Sequence, residues 1–330
     1  TSKIVNETTA GTLSSYFTDE ERSNVSSLTV TGKMDARDFK FIRDNFNNRL
    51  LNLDISGVAV EEYTGTAGTD TVGVNKTYPA NTIPQYSFWN SETHSVTELS
   101  FIVLPSAITT IGNCAFLGQK YLSTITIPSS VTTIQYSAFE QCSFTSIAIP
   151  SSVAELEACV FSYNKELTTA RIASSTTGLG TFENDSLLSS VIFEPTVKEI
   201  DTLAFYNCDN LTTIDIPASV DFIGAGAFSN AHGKSMSIVV NPDNACYSSV
   251  HGILFNKDQT KIVYYPAFEK SYTIPSTVKT VGSCAFYNDA INSITIPASV
   301  ISLEREAFRE IFDTCSITFN PGSTLREIND

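Results

Sequence analysis

The feature that most constrains this chain is a short segment repeated at a nearly fixed interval. ITIPSSVTTIQYSAF (125–139) has close copies in IDIPASVDFIGAGAF (214–228) and ITIPASVISLEREAF (294–308). The phenylalanine that ends each copy recurs every 21 to 23 residues, apart from one interval of 58, at Phe116, Phe139, Phe161, Phe182, Phe205, Phe228, Phe286 and Phe308. With weaker copies on both sides, about eleven units can be counted. Such self-similarity indicates a repeat architecture.

Each unit combines a strand with a compact return. In LSTITIP (122–128), Ile125 and Ile127 alternate with threonines, and this period of two predicts a strand whose isoleucines point inward. Proline then ends the strand because it has no N–H to donate to the ladder. The following VTTIQYSAF spaces its apolar residues by three and five, which predicts a tight return with a helical turn rather than a long helix.

One such unit cannot fold alone, because ordering its backbone costs more free energy than its few apolar side chains recover. The deficit closes only if neighbouring units cover it on both sides and share backbone hydrogen bonds with it. Units that stack in this way form a solenoid. The interval of 58 is interpreted as one ordinary repeat plus about 35 extra residues.

The pattern L-x-x-I-x-I-P-x-x-V-x-x-I-x-x-x-A-F, found over most of residues 98–321, resembles the BspA-type leucine-rich repeat. Residues 241–268 are similar to an insertion common in that family, with GILF and KIVYYP as the arms of a hairpin, and residues 28–46 are similar to its N-terminal opening. The resemblance implies a mainly β leucine-rich-repeat solenoid with a parallel strand row, short helical or irregular returns, an N-terminal helical cap and one inserted β-hairpin.

The resemblance also implies a class of function. Members of the family are exported or lipid-anchored surface proteins of anaerobic bacteria and some protists, and some are implicated in adhesion to host proteins or to other cells. The family shares no catalytic residue set, so none is carried over to this chain.

The segments that break the repeat suggest an N-terminal cap. Thr18–Glu21 has the form of a capping box, and a helix predicted at 35–47 begins at Asp35 and places Phe39, Ile42 and Phe46 on one face. The expected organisation is a leader or cap at 1–27, capping repeats at 28–97 with an exposed Gly/Thr-rich loop at 63–82, and the solenoid at 98–330 with its insertion at 241–274.

Composition limits the partners and the location. A net charge of −15 disfavours nucleic acid and anionic membrane, because both would repel the chain. No run of 18 apolar residues exists, so the sequence predicts no membrane-spanning segment. The polar opening TSKIVNETTAGTLSS lacks methionine, and we interpret it as a mature N-terminus of a bacterial protein whose export signal has been removed. The expected location is extracellular, at the cell surface, as a secreted protein or a lipoprotein.

Five of the seven cysteines occupy two repeat positions, two residues before or three residues after the phenylalanine: Cys114, Cys159, Cys284, Cys142 and Cys208. Cysteine is a small hydrophobe that suits a buried position in a repeat. We therefore predict buried free thiols at these five. Cys246 and Cys315 lie outside the pattern, and whether they pair stays open.

No catalytic, cofactor or metal motif emerges. His94, His232 and His251 are isolated, and none has the spacing of a metal-ligand pair. Gly224 and Gly226 superficially suggest a phosphate-binding loop, but they open no long helix, and other copies lack them. We predict that the chain is not an enzyme and takes no cofactor.

The outward face of the strands is the remaining candidate site. It is mostly serine and threonine, which suit an exposed strand, and it carries a few apolar and charged residues. Because exposed aromatic and apolar side chains dominate binding surfaces, the candidate binding residues are Tyr86, Trp89, Phe101, Val103, Arg171, Ile192, Asp215 and Val239.

Two functions follow from this face. The first is a non-catalytic extracellular adhesion scaffold that recognises a protein or glycan, on host or neighbouring cells, through the solenoid face or its inserted loops. The alternative is a structural surface spacer that self-associates through a last coil without an obvious polar cap.

Overall fold

A computed structural model of the protein describes residues 1–46, 49–230, 236–266, 269–287, 291–309, 311, 315–323 and 325–328. The chain divides into two compact units, Thr1–Leu167 and Thr168–Asp330. Among the described residues, helix is confined to the first unit, in a 3-10 turn (Leu13–Tyr16), α1 (Asp19–Asn24) and α2 (Ala36–Asn45). The rest consists of strands and tight turns.

The first unit contains two parallel rows of strands. Its strands are β1 (Ser2–Glu7), β2 (Ser27–Met34), β3 (Asn52–Val60), β4 (Tyr63–Gly65), β5 (Lys76–Tyr78), β6 (Thr82–Ile83), β7 (Phe101–Val103), β8 (Thr110–Ile111), β9 (Thr133–Ile134), β10 (Ser146–Ile149) and β11 (Glu155–Leu156). The front row pairs β1, β2, β3 and β7 in chain order. The second row pairs β6, β8, β9 and β11.

The second unit repeats this arrangement. Its strands are β12 (Thr169–Ile172), β13 (Ser190–Phe193), β14 (Glu199–Ile200), β15 (Thr213–Ile216), β16 (Phe222–Ile223), β17 (Ser237–Val240), β18 (Tyr247–Val250), β19 (Ile253–Asn256), β20 (Lys261–Tyr264), β21 (Ser271–Thr273), β22 (Thr280–Val281), β23 (Ser293–Ile296), β24 (Ser302–Leu303), β25 (Ser316–Phe319) and β26 (Glu327–Ile328). Its front row holds β12–β13, β15–β17 and β21–β23–β25, and its second row holds β14–β16 and β20–β22–β24–β26.

Left-handed backbone positions turn the chain within each return. One lies two residues before the repeat phenylalanine, as at Cys114, Ser137 and Gly226, with φ of 51°, 51° and 63°. A second lies two residues after it, as at Asn184 and Asn207, with φ of 62° and 56°. Glycine adopts this conformation freely and asparagine tolerates it. These corners let a coil close within one short repeat without a long helix.

The repeat phenylalanines stack from coil to coil in the interior of each unit. In the first unit, the ring centroids of Phe116 and Phe139 are 5.1 Å apart. In the second, those of Phe182 and Phe205 are 5.4 Å apart, and their planes differ by only 2°. Backbone hydrogen bonds follow the rings, since the Phe116 N–H donates to the Ala138 carbonyl at 2.8 Å. The predicted solenoid with a parallel strand row and short returns is confirmed.

The front row begins earlier than the repeat pattern predicted. Residues 1–27, expected to be a leader or cap, contain β1, which pairs with β2 over six residues. The two predicted helix N-caps are present. The Thr18 side chain accepts a hydrogen bond from the Glu21 N–H at the start of α1, and α2 begins directly after Asp35. Phe39, Ile42 and Phe46 are fully buried, so α2 covers the interior with the face that its sequence indicated.

Residues 63–82 are mostly exposed, as their glycine and threonine content suggested, but they also contain a short hairpin that was not predicted. β4 and β5 pair antiparallel within this segment, and the rings of Tyr63 and Tyr78 stack with centroids 6.1 Å apart. The Asp70 N–H donates to the Tyr78 hydroxyl at 2.9 Å. Two tyrosines thus fold the segment back on itself.

The interval of 58 residues contains a complete coil whose aromatic residue is a tyrosine. Tyr265 stacks on Phe286 with centroids 5.0 Å apart, and β20 pairs parallel with β22 in the second row. The insertion predicted at 241–274 is therefore an enlarged coil. Its extra length holds β18 and β19, which lie antiparallel to one another, and β19 also lies antiparallel to β20.

A buried pair of carboxyl groups joins β1 to α2. Glu7 and Asp38 are 0% and 1% exposed. Burial raises the pKa of Asp38, although the backbone N–H groups of Asp35, Gly11 and Leu13, which donate to this carboxyl group, act in the opposite direction. Burial and then the neighbouring Asp38 carboxylate raise the pKa of Glu7 to about 8. Glu7 therefore keeps its proton at neutral pH.

This pair predicts a pH-dependent stability. Between pH 4.5, the ordinary pKa of the group, and about 8, folded Glu7 holds a proton that the unfolded chain releases, so the free energy of unfolding should fall as pH rises. Glu7→Gln should reduce this loss in denaturant unfolding followed across that window. Glu20→Gln, at an exposed position, should keep the wild-type profile. The same dependence of unfolding free energy on pH in Glu7→Gln and wild type would contradict the raised pKa of Glu7.

The aromatic stack predicts a large local contribution to stability. Phe205 is 1% exposed and lies between Phe182 and Phe228. Phe205→Ala should lower the free energy of unfolding by about 3–5 kcal/mol, because truncating a buried aromatic side chain leaves a cavity. Phe222→Ala, which removes a ring that is 47% exposed, is the matched control and should cost far less. Equal losses in urea unfolding would refute the burial of Phe205.

Candidate functional site

Four of the predicted binding residues occupy equivalent outward positions in the front row of the second unit. Arg171 pairs with Ile192 across β12 and β13, and Asp215 pairs with Val239 across β15 and β17. Ile192 and Val239 are 46% and 48% exposed, whereas Ile214 and Ile238, which lie beside Asp215 and Val239 on their strands, are buried. The alternation that places isoleucine inside thus presents these four side chains to solvent.

The front row of the second unit is interrupted within this set. β13 and β15 follow one another along the row but belong to different sheets. A groove of about 550 Å³ lies here, lined in part by Ile192, Asp215, Pro217, Val239 and Pro242. Pro217 was not among the predicted binding residues, although its position two residues after the outward Asp215 could have indicated that it lies on the same surface.

The charges around this groove are not fully paired within the described part of the chain. Arg171 Nη2 lies 2.6 Å from Glu194 Oε1, whereas exposed Asp215 forms no ion pair with any described residue. A surface pair such as Arg171–Glu194 contributes little stability. Its consequence is local, because it neutralises Arg171 and leaves Asp215 as the net charge of the groove.

The first unit has a second groove of about 360 Å³, lined in part by Phe101, Val103, Thr124 and Thr126. Residues 122–128, which we expected to form a strand, are not assigned to one, and β7 is the last strand of its sheet. The coils remain stacked elsewhere, since Thr110 pairs with Thr133 in the second row. Phe101, at an outward position of β7, is 48% exposed.

Tyr86 and Trp89 form a separate aromatic cluster. Their ring centroids are 5.6 Å apart, and the Trp89 ring lies 5.8 Å from the His94 ring. The Tyr86 carbonyl accepts from Arg43 at 3.0 Å, which ties the cluster to α2. Phe101 and Val103 line their groove without these two rings.

The described residues contain no group of three or more metal-ligating side chains. His94 packs on Trp89, His251 lies in the turn between β18 and β19, and His232 lies outside the described residues. Gly224 has a packing role, because a Cβ there would lie 2.3 Å from the backbone nitrogen of Thr202. The glycine therefore allows close approach of two coils.

All seven cysteines are free. Cys114, Cys142 and Cys208 are buried, as predicted, but Cys159 and Cys284 are only half-buried. These last two were wrongly predicted as buried, and the left-handed corner does not decide the difference, because Cys114 adopts the same conformation and is buried. Burial raises the pKa of Cys114 to about 11 and also raises the pKa of Cys142 and Cys208.

Thiol labelling should follow this order. Cys142 and Cys208 should resist a thiol reagent in the folded protein, because they are buried and their thiolate forms are disfavoured. The four half-buried cysteines, Cys159, Cys246, Cys284 and Cys315, should react before these two. Peptide mass spectrometry after brief alkylation measures the order, with denatured protein as the control. Early labelling of Cys208 would contradict its placement.

No helix among the described residues is long and apolar enough to span a membrane. A family model described as a BspA-type leucine-rich repeat region matches the chain in six copies, over residues 81–184, 175–262 and 263–330. A search of curated proteins found no significant match.

Several solved structures share the fold. The pneumococcal vaccine antigen PcpA is 24% identical with a TM-score of 0.54, over 78% of this chain and 60% of that one. A leucine-rich cell surface protein from Faecalibacterium prausnitzii is 25% identical with a TM-score of 0.55, over 79% and 68%. A leucine-rich repeat protein from Bacteroides ovatus is 20% identical with a TM-score of 0.51, over 85% and 75%. This chain thus spans about 60% of the length of PcpA.

Proposed function

The chain belongs to the BspA-type leucine-rich repeat family, and we propose that it is a non-catalytic, extracellular cell-surface scaffold that binds a protein partner through the front row of its second unit. The similar protein from Faecalibacterium prausnitzii is described as a cell surface protein, which supports the location. Adhesion to host or neighbouring cells is the role that fits such a scaffold.

The exposed pair Ile192 and Val239 carries this proposal. Both side chains are nearly half exposed and line one groove, at the place where the front row is interrupted. Apolar side chains that gather in a concave surface are typical of an interaction site. If the outward face served only to form strands, serine and threonine would suffice, and the exposed side chains of Ile192 and Val239 would not be needed.

The shape and charge of the groove indicate its occupant. Two exposed apolar side chains, on the strands either side of β15, suit an extended segment of a partner protein, whose own apolar side chains would contact Ile192 and Val239. Asp215, which has no ion pair among the residues that the structure describes, lies between them and favours a basic group on that segment. The proposed partner is therefore an extended, basic and apolar stretch of a cell-surface protein.

The proposal is tested on an array of purified host and bacterial surface proteins. A partner found there should bind the double variant Ile192→Ser/Val239→Ser at least about tenfold more weakly in biolayer interferometry, because truncated anchor residues dominate such losses. Ile301→Ser, which removes a 37% exposed side chain elsewhere in the same unit, is the matched control and should bind as wild type does.

Two outcomes would contradict this function. One is a folded protein that binds nothing on the array, and the other is a double variant that binds as tightly as wild type. Light scattering over a range of concentrations separates the proposal from the self-associating spacer, because only the spacer gains mass with concentration.

A further inference from the structure

We propose that the second unit also binds an acidic sugar, in a recess on the return side of its coils beside Arg305. This site shares no residue with the front-row groove, and it does not depend on the protein partner proposed above. The recess has a volume of about 430 Å³ and is lined in part by Leu203, Tyr206, Tyr287, Arg305 and Glu306.

The recess lies beside a shortened return. From the second-row isoleucine to the aromatic residue, an ordinary coil takes five residues, as from Ile200 to Phe205, but the enlarged coil takes only three, from Ile262 to Tyr265. Within this described stretch, no residue has the left-handed conformation that forms the usual corner. A Cβ on Gly226 would lie 3.6 Å from the Cβ of Cys284, so the corners on either side approach each other directly.

Two tyrosines form one wall of the recess. The hydroxyl oxygens of Tyr206 and Tyr287 are 2.9 Å apart, within hydrogen-bond distance, and the ring centroids are 5.6 Å apart in an edge-to-face arrangement. Leu203 and Ala225 add apolar surface beside them. The wall therefore combines aromatic surface with hydroxyl groups, which suits a ligand that has both a ring and polar substituents.

Arg305 supplies the charge that selects the ligand. Arg309 Nη1 donates to Glu306 Oε2 at 2.9 Å, whereas Arg305 Nε lies 3.6 Å from Glu306 Oε1, too far for a hydrogen bond. The Arg305 side chain is 73% exposed and makes no hydrogen bond to another described residue. A guanidinium fork whose donors are unused is suited to a carboxylate, which it can bind through two hydrogen bonds.

The other lining groups favour a sugar over a simple carboxylate. Thr202, Ser283 and the two tyrosines bring hydroxyl groups to the same recess, and these can exchange hydrogen bonds with a polyhydroxylated ring. A volume of about 430 Å³ lies within the range of small-molecule sites. A uronic acid joins both properties, since its ring carries hydroxyls and one carboxylate.

Calorimetry and saturation-transfer NMR with glucuronate test the site. Wild type should bind glucuronate, and neutral glucose should bind at least about tenfold more weakly, because it lacks the group that Arg305 recognises. Arg305→Met should reduce glucuronate binding by a similar factor. Arg171→Met is the matched control, since it removes an exposed arginine of the same unit from the front row, and it should bind as wild type does.

The outcomes separate the alternatives. Glucuronate binding that survives in Arg305→Met, or that glucose equals, would overturn the proposal. So would stronger binding of the α-amide of N-acetylglutamate, because the recess would then recognise a carboxylate without the sugar ring. Thermal melts establish that each variant is folded. If the protein bound nothing on the array of surface proteins, the results for glucuronate would still stand.

Discussion

Each coil of this protein depends on the coil beside it for its hydrogen bonds and for the burial of its apolar side chains. A single repeat is too short to bury its own interior, and parallel strands have no partner within one coil. The stacked rings of Phe182, Phe205 and Phe228 and the paired front and second rows meet both needs at once. Surface properties are therefore free to vary wherever a side chain points away from the stack.

Most of the buried interior could be predicted from the sequence, but the coils that depart from the repeat could not. A period of 21 to 23 residues and a recurring Ala-Phe pair were sufficient to predict the solenoid, because only an inward aromatic residue needs to recur so regularly. The repeat pattern did not predict the coil of Tyr265, because a tyrosine takes the place of the repeat phenylalanine and the return is shorter. The composition of residues 63–82 indicated an exposed segment but not the hairpin within it, which depends on a specific contact between Tyr63 and Tyr78.

The candidate site was predictable residue by residue but not as a surface. Alternation along a strand identifies Ile192, Asp215 and Val239 as outward, and the structure places them so. Their grouping into one groove depends on an interruption between β13 and β15, and the strand pattern is as regular there as elsewhere. The corner cysteines show the same limit, because Cys114, Cys159 and Cys284 share one left-handed conformation, yet only Cys114 is buried.

The short return at Tyr265 shows how this architecture acquires novelty. Two residues fewer on one side of a coil leave β20 paired with β22 and Tyr265 stacked on Phe286, and a recess lies beside the shortened return. The coils that follow keep their parallel pairing despite the shorter return, since β22, β24 and β26 continue the second row. The length of one return can thus change, and with it the surface beside that return, while the coils that follow stay paired.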